Sequence, residues 1–209
     1  TAKKMEAARP QFQHDGKPDV DLVLTTQEII NMIKESGIQL PQLDLEAPDL
    51  PFGLGSGAGT IYGTTGGVAE AVVRHCMPDK SRNTLRALEY SPLRGNESIR
   101  EATIPVGDRE IKLAVVHGLI NAQKLLKEID EGTAYYDLIE VMTCPNGCVG
   151  GAGQPYGLKA KKQARSAGLY ATDRSAPFKR AEYNPGVTSI LQKLTHEQRH
   201  ELLHVSYQK

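Results

Sequence analysis

The sequence of 209 residues has no tryptophan and only three phenylalanines. It has no excess charge of either sign, since Lys plus Arg and Asp plus Glu both stand at 25. Without a basic surplus there is no electrostatic footprint for nucleic acid and no polybasic patch for a membrane surface. No apolar run approaches the roughly 18–20 residues of a membrane helix, and no signal-peptide pattern leads the chain. Cysteine is scarce and odd in number: Cys76, Cys144 and Cys148. That argues against a disulfide framework and for a reducing compartment, with the cytoplasm as the expected location. The length allows one large domain or two small lobes.

Glycine, by contrast, is plentiful at 20 residues and gathers in two stretches. The more informative is Glu140-Val-Met-Thr-Cys-Pro-Asn-Gly-Cys-Val-Gly-Gly-Ala-Gly-Gln-Pro155. The apolar run at 137–142 reads as a buried strand. Cys144 and Cys148 follow it, among Gly147, Gly150, Gly151 and Gly153. Thiolates are soft ligands that suit iron–sulfur clusters, copper(I) or zinc. A bulky cluster needs backbone at close range, often at positive φ, and glycine allows both. Amide N–H groups left free in such a loop can point at cluster sulfurs. C-x-x-x-C is not the C-x-x-C of zinc ribbons or thioredoxin-like sites. Spacing alone therefore leaves open a tight glycine turn with two incidental thiols. The second stretch, Phe52 to Gly67, contains Gly55-x-Gly57-x-Gly59 but lacks the G-x-G-x-x-G register of a dinucleotide site.

The pattern along the chain predicts an α/β fold, a parallel sheet built from βαβ units flanked by helices, with Gly-rich loops at strand ends. A strand is expected at 19–24. A helix follows from the capping box Thr25-x-x-Glu28 to the stop at Gly37. A helix is expected at 68–74, with Val68, Val72 and Cys76 on one face and Cys76 buried. Residues 77–110 read as a mobile connection with one short helix near 83–89. Strand 110–117, helix 119–129 and strand 137–142 make one βαβ unit with a right-handed crossover. Ligands collect beyond the carboxyl ends of such strands, which is where Cys144 lies. His117 ends the partner strand and reads as a structural imidazole that could reach the same site. The basic run Lys159, Lys161, Lys162 and Arg165 reads as a solvated helix face, with a docking role for an electron donor as the alternative.

As a whole string, residues 140–155 resemble the third signature of the iron-only (FeFe) hydrogenases, with Ala152 in place of one glycine. The resemblance implies that Cys144 ligates a four-iron cluster. It implies that Cys148 also ligates it and bridges to a two-iron subcluster carrying CO and cyanide. Met142 would pack against the two-iron unit, and Gly150 and Gly151 would allow the cofactor to approach. Thr1-Ala-Lys-Lys-Met-Glu-Ala-Ala-Arg-Pro10 resembles the residues after the cysteine of a second signature, Met-Pro-Cys-x-x-Lys. On that reading the chain begins one residue after the cysteine, Lys3 hydrogen-bonds a cyanide, and Glu6 lies near the cluster. Ser56 to Ala71 resembles the stretch beside the active site, with Tyr62 lining the two-iron pocket where Phe is usual and Val68 facing it. Segments 170–173, 184–191 and 201–207 resemble the family's closing part.

The resemblance implies the C-terminal part of the catalytic domain of a ferredoxin-type hydrogenase, spanning 1–209. Such enzymes reversibly oxidise H2 and reduce protons at the H-cluster, the 4Fe-4S cluster plus the two-iron unit. A cubane cluster needs four thiolates, and the recognised motifs here supply two. The chain alone is therefore expected to be inactive and cluster-free. Implied partners are H2 and protons, ferredoxin or another electron carrier, and an N-terminal lobe on the same protein or a separate chain. No nucleic acid or membrane is implied. Two alternatives stand, a non-catalytic hydrogenase-like iron–sulfur assembly protein and a sensory hydrogenase. Lys3 and the Met142-Thr-Cys144 context favour the enzyme.

Overall fold

The central strand takes its place because its side chains feed two apolar layers at once. In a computed structural model, which describes residues 2–47, 49–78, 81–157 and 159–204, Leu113 and Val115 enter one hydrophobic cluster while Ala114 and Val116 enter another. A strand covered on both faces reads as a continuous apolar run. Thr1 and Tyr207, both in stretches that resemble the hydrogenases, lie outside the described residues.

In chain order the helices and strands are α1 (Ala2–Ala7), β1 (Gln13–His14), β2 (Lys17–Pro18), α2 (Thr26–Glu35), α3 (Gly57–Ile61), α4 (Gly67–Cys76) and α5 (Arg82–Ala87). They continue as β3 (Ile99–Val106), β4 (Arg109–His117), α6 (Leu119–Asp130), β5 (Leu138–Met142), α7 (Lys159–Ser175), α8 (Pro185–Leu191) and α9 (His196–Leu203). The chain divides into two compact units. One comprises Thr1–Asp49, Ala152–Tyr156 and Ser189–Lys209, and the other Leu50–Gly151 and Gly157–Thr188.

The larger unit holds a three-stranded sheet in the order β3-β4-β5. β5 runs parallel to β4, from Leu113 opposite Leu138 to His117 opposite Met142. β4, α6 and β5 thus form the expected βαβ unit. β3 runs antiparallel to β4, from Ile99 opposite Val116 to Val106 opposite Arg109. The sheet is therefore mixed. One face packs on α4 through Ala69, Val73, Met77, Ala102, Ile104, Leu113 and Val115. The other packs on α6 through Ala114, Val116, Ala122 and Leu125. Each buried Val, Leu, Ile or Met side chain among them contributes about 1.5–3 kcal/mol, and each alanine methyl about 0.8 kcal/mol.

Three expectations are corrected. Residues 19–24 form no strand. Val20 and Leu22 are exposed, and without a neighbour a strand leaves its amides unpaired. The local pairing lies earlier, in β1 and β2, joined by Asp15 and Gly16, both at positive φ, as a two-residue Asp-Gly hairpin requires. Within 77–110, β3 was not anticipated, because Arg100 on the core face and Pro105 break its alternation. Pro105 is tolerated because β3 is an edge strand. Cys76 is exposed rather than buried. α4 does have a stripe at steps of four, but the buried one is Ala69, Val73 and Met77, one residue further round.

In the smaller unit the capping box of α2 is present. The Thr25 hydroxyl accepts from the Glu28 N–H at 3.2 Å, and the Thr25 N–H donates to the Glu28 carboxylate at 2.7 Å. Gly37, at φ +69°, stops the helix. Gly153 lies against its start: its carbonyl accepts from the Gln27 N–H at 3.1 Å, and a Cβ there would come within 2.9 Å of the Thr25 methyl.

Candidate metal centre

β4 and β5 end side by side, and Gly118, at φ +85°, donates its N–H to the Met142 carbonyl at 2.7 Å. Beyond Met142 the chain turns sharply. Asn146 and Gly147 both take positive φ, and the Gly147 N–H closes on the Cys144 carbonyl at 3.0 Å. A short 3-10 turn, Cys148–Gly150, follows. Cys144 is half-buried and Cys148 exposed, and both are free thiols.

The loop is compact because glycine occupies the contact points. A Cβ at Gly150 would lie 2.0 Å from the Pro145 carbonyl oxygen. At Gly147 it would lie 2.8 Å from the Thr65 nitrogen and 2.9 Å from the Met142 sulfur. At Gly151 it would lie 3.9 Å from the Cys144 sulfur, so that face of Gly151 looks onto the thiol. The amides of Gly147, Val149, Gly150 and Gly151 all donate to backbone carbonyls, so these four N–H groups are taken and do not point at cluster sulfurs.

The second glycine stretch is tied to the first. The Thr65 N–H donates to the Asn146 carbonyl at 3.2 Å and the Val149 N–H to the Gly63 carbonyl at 3.1 Å. Tyr62, 46% exposed, ends α3, and half-buried Val68 lies in the first turn of α4. The start of α4 is held by Glu140, whose carboxylate accepts from the Gly66 N–H at 2.6 Å and the Ala69 N–H at 2.7 Å. A carboxylate at a helix N-terminus meets unpaired N–H groups and the positive end of the dipole. From α7, Arg165 donates to the Val149 carbonyl at 3.0 Å.

Behind α4 lies a buried ionic network. The Arg74 guanidinium meets Asp173 through two bonds at 2.8 and 2.7 Å and Glu70 at 2.6 Å. Arg94 clasps Glu70 with two bonds at 2.8 Å and lies over the Tyr170 ring. Burial would raise the Asp173 pKa, but the Arg74 pair overrides it and holds the carboxyl below the usual range. Burial raises the Tyr170 pKa; its hydroxyl meets that of Thr64 at 3.1 Å. Thr64, Thr65, Asn96, Ser166 and Tyr170 line a cavity of about 200 Å³.

His117 is 4% exposed, and burial pulls its pKa below the ordinary histidine value. Its Nε2 has no hydrogen-bond partner among the described residues.

The structure thus gathers Met142, Cys144, Cys148, Gly150 and Gly151 in one loop, with Tyr62 and Val68 on the stretch laced to it. Lys3 belongs to the smaller unit, where its ammonium pairs with Glu6 at 2.6 Å. Among the described residues no group of three or more His, Cys, Asp or Glu side chains converges. The chain's own donor set is a pair of soft thiols on a loop whose tight contacts at Gly147 and Gly150 leave no room for a Cβ. That fits half of the four-thiolate set of a cubane cluster. Sequence reasoning missed the roles of Glu140 and of the network, which reach far along the chain, and of Arg100, which is served by nearby turn carbonyls; the one local signal was Glu70-x-x-x-Arg74, an i,i+4 pair.

Residues 1–152 match the family described as iron only hydrogenase large subunit, C-terminal domain, and residues 159–209 the one described as iron hydrogenase small subunit. The chain is 40% identical over 214 residues to the NADP-reducing hydrogenase subunit HndD of Solidesulfovibrio fructosivorans, covering 100% of this chain and 36% of that protein. It is 36% identical over 220 residues to iron hydrogenase 1 of Clostridium pasteurianum, covering 100% and 38%. It is also 34% identical over 221 residues to cytosolic iron-sulfur assembly component 3 of Mus musculus, covering 98% and 45%. The chain therefore spans less than half the length of these relatives. Among solved structures, the [FeFe]-hydrogenase HydA(deltaEFG) superposes with a TM-score of 0.76 at 35% identity, over 99% of this chain and 60% of that one. A variant of [FeFe]-hydrogenase HydA1 from Chlamydomonas reinhardtii gives 0.75 at 34%, over 99% and 61%.

Proposed function

Since this chain belongs to the iron-only hydrogenase family, we propose that it is the C-terminal part of a catalytic domain that interconverts H2 with protons and electrons. Cys144 and Cys148 would supply two of the four thiolates of a 4Fe-4S cluster, and, as the resemblance implies, Cys148 would also hold the two-iron unit. The remaining thiolates would come from outside these 209 residues, in a region for which the longer relatives have room. The H-cluster, when bound, supplies the hydrogen and electron-transfer chemistry, and the protein holds and tunes it.

The residues divide that task. Gly147, Gly150 and Gly151 keep the cradle open. Met142, Tyr62 and Val68 line the two-iron pocket, and Tyr62 brings a hydroxyl. The Lys3 ammonium, with three donors, would, as the resemblance implies, hydrogen-bond a cyanide of the two-iron unit. Electrons arrive from ferredoxin or another carrier, in the cytoplasm. No described helix is long and apolar enough to cross a membrane.

The observation that carries the reading is the pair of thiols on a glycine cradle at the carboxyl end of two parallel strands, laced to a second glycine stretch. Anaerobic iron analysis with EPR tests it. Together with a segment or chain that supplies the remaining thiolates, the chain should hold one four-iron cluster, lost in Cys144→Ala and Cys148→Ala. A full cluster on the chain alone, or one indifferent to both substitutions, would overturn it. The 34% identity to an iron–sulfur assembly component supports a second, non-catalytic reading. H2 evolution from reduced carrier by the assembled protein separates the two.

A further inference from the structure

Of the arginines buried among the described residues, Arg74 and Arg180 have a carboxylate within 4.0 Å and Arg100 does not. Arg74 and Arg94 share Glu70 and Asp173. Arg100, 6% exposed, has no carboxylate within 4.0 Å among the described residues. Neutral acceptors alone hold its guanidinium: the carbonyls of Pro92 at 3.2 Å, Glu97 at 2.7 Å and Leu93 at 3.1 Å, and the Thr65 hydroxyl at 3.3 Å. A guanidinium does not shed its proton in a protein, and burying a charge without a partner is costly. Glu140 and Glu97 act on it only from a distance, and both oxygens of Glu140 are taken by backbone N–H groups.

The charge lies behind the thiol loop. Thr65, which touches the guanidinium through its hydroxyl, bonds Asn146 through its backbone N–H. A Cβ at Gly147 would come within 2.8 Å of the same Thr65 nitrogen. Asn146 and Gly147 are residues between the two cysteines. The side of the loop that backs onto Thr65 therefore faces a buried cation, while two thiols on the loop become anions when they bind metal.

We propose that Arg100 is the buried counter-charge of the thiolate centre, a positioning residue that raises the reduction potential of the cluster held by Cys144 and Cys148. This rests on those two cysteines being ligands. A fixed positive charge favours the more negative, reduced form, and the carboxylate of Glu140, bonded to the Gly66 N–H, opposes it.

An EPR-monitored redox titration of the assembled, cluster-loaded protein tests this. Arg100→Gln should cut the reduced-to-oxidised ratio at the wild-type midpoint about tenfold, or 59 mV downward for one electron. Arg100→Lys should stay within about twofold, since the charge is kept. Glu140→Gln should shift the midpoint the opposite way, a sign reversal that a merely loosened loop would not produce. An unchanged midpoint in Arg100→Gln, or shifts of the same sign in Arg100→Gln and Glu140→Gln, would overturn the inference. If Arg100→Gln does not fold, Arg100→Lys and Glu140→Gln decide it: a lysine midpoint near wild type with an upward shift in Glu140→Gln sustains it, and any other pair overturns it. If the assembled wild-type protein holds no cluster, the assignment of the two cysteines fails first and takes this inference with it.

Discussion

The Glu140 carboxylate, two residues before the end of β5, accepts the backbone N–H of Gly66 at 2.6 Å. It reaches Ala69 as well, so one side chain joins the strand that delivers the thiol loop to the helix that follows the second glycine stretch. Glu140→Ala leaves two buried N–H groups without an acceptor, each costing about 1–3 kcal/mol. We expect a loss of about 2–4 kcal/mol on that basis, read as a lower urea midpoint of the chain. A midpoint within error of wild type would show that the two bonds contribute little.

Acid should weaken the protein through Asp173. Burial raises its pKa and the Arg74 pair more than reverses this, leaving the carboxyl below its ordinary value. A group depressed in the folded state contributes stability above the unfolded pKa, and that stability is lost as pH falls through the folded value. Unfolding free energy should therefore drop as pH falls below about 4, the ordinary Asp range. Asp173→Asn should cost about 3–5 kcal/mol at neutral pH, because Arg74 is left buried and underpaired, and should flatten that part of the pH profile. Glu28, pushed down to about 2 chiefly by its bond from Lys4, acts in the same direction from the surface.

Gly150 should not tolerate even alanine. A methyl there would sit 2.0 Å from the Pro145 carbonyl oxygen, and the backbone would have to move. Gly150→Ala should lower iron content in the assembled protein severalfold. Gly168, inside α7 with nothing within 4 Å of its Cβ position, is the control. Gly168→Ala should leave iron content unchanged and stabilise by about 0.5–1 kcal/mol. Equal iron in both variants would dismiss the cradle.

The three thiols should differ in reactivity with exposure. Cys76 and Cys148 are exposed and Cys144 is half-buried, so brief alkylation of the native chain followed by mass spectrometry should label Cys144 last. Cys76→Ser should leave iron loading of the assembled protein intact. Loss of iron in that variant would mean that the outlying thiol takes part.

Much of the fold is legible in the sequence where signals are local. The run Leu113 to Val116, the stop at Gly132 and the capping box at Thr25 each act over a few residues, and the βαβ unit and α2 follow from them. The cysteine loop is legible as a string, because glycine at each tight contact leaves its mark in sequence. β3 is not, since Arg100 sits on its inner face where an apolar residue is expected. Its guanidinium is served by carbonyls of a turn that no pattern reveals. At α4 the period is right and the face wrong: Val68, Val72 and Cys76 and the true inner stripe Ala69, Val73 and Met77 are both apolar. Only packing against the sheet chooses between them. Glu140 depends on partners 74 and 71 positions away, and the four-charge network closes through Asp173, 99 positions from Arg74, both beyond the reach of any short pattern.

The two links between the glycine stretches, Thr65 to Asn146 and Val149 to Gly63, run entirely through main-chain atoms. Such a join is blind to side-chain identity and strict about spacing. Exchanging Thr65 or Val149 for any residue but proline spares the amide that donates. Adding or removing a single residue between Gly63 and Thr65, or between Asn146 and Val149, breaks the match of both links at once. Homologues should therefore vary in letters here while keeping both intervals the same length.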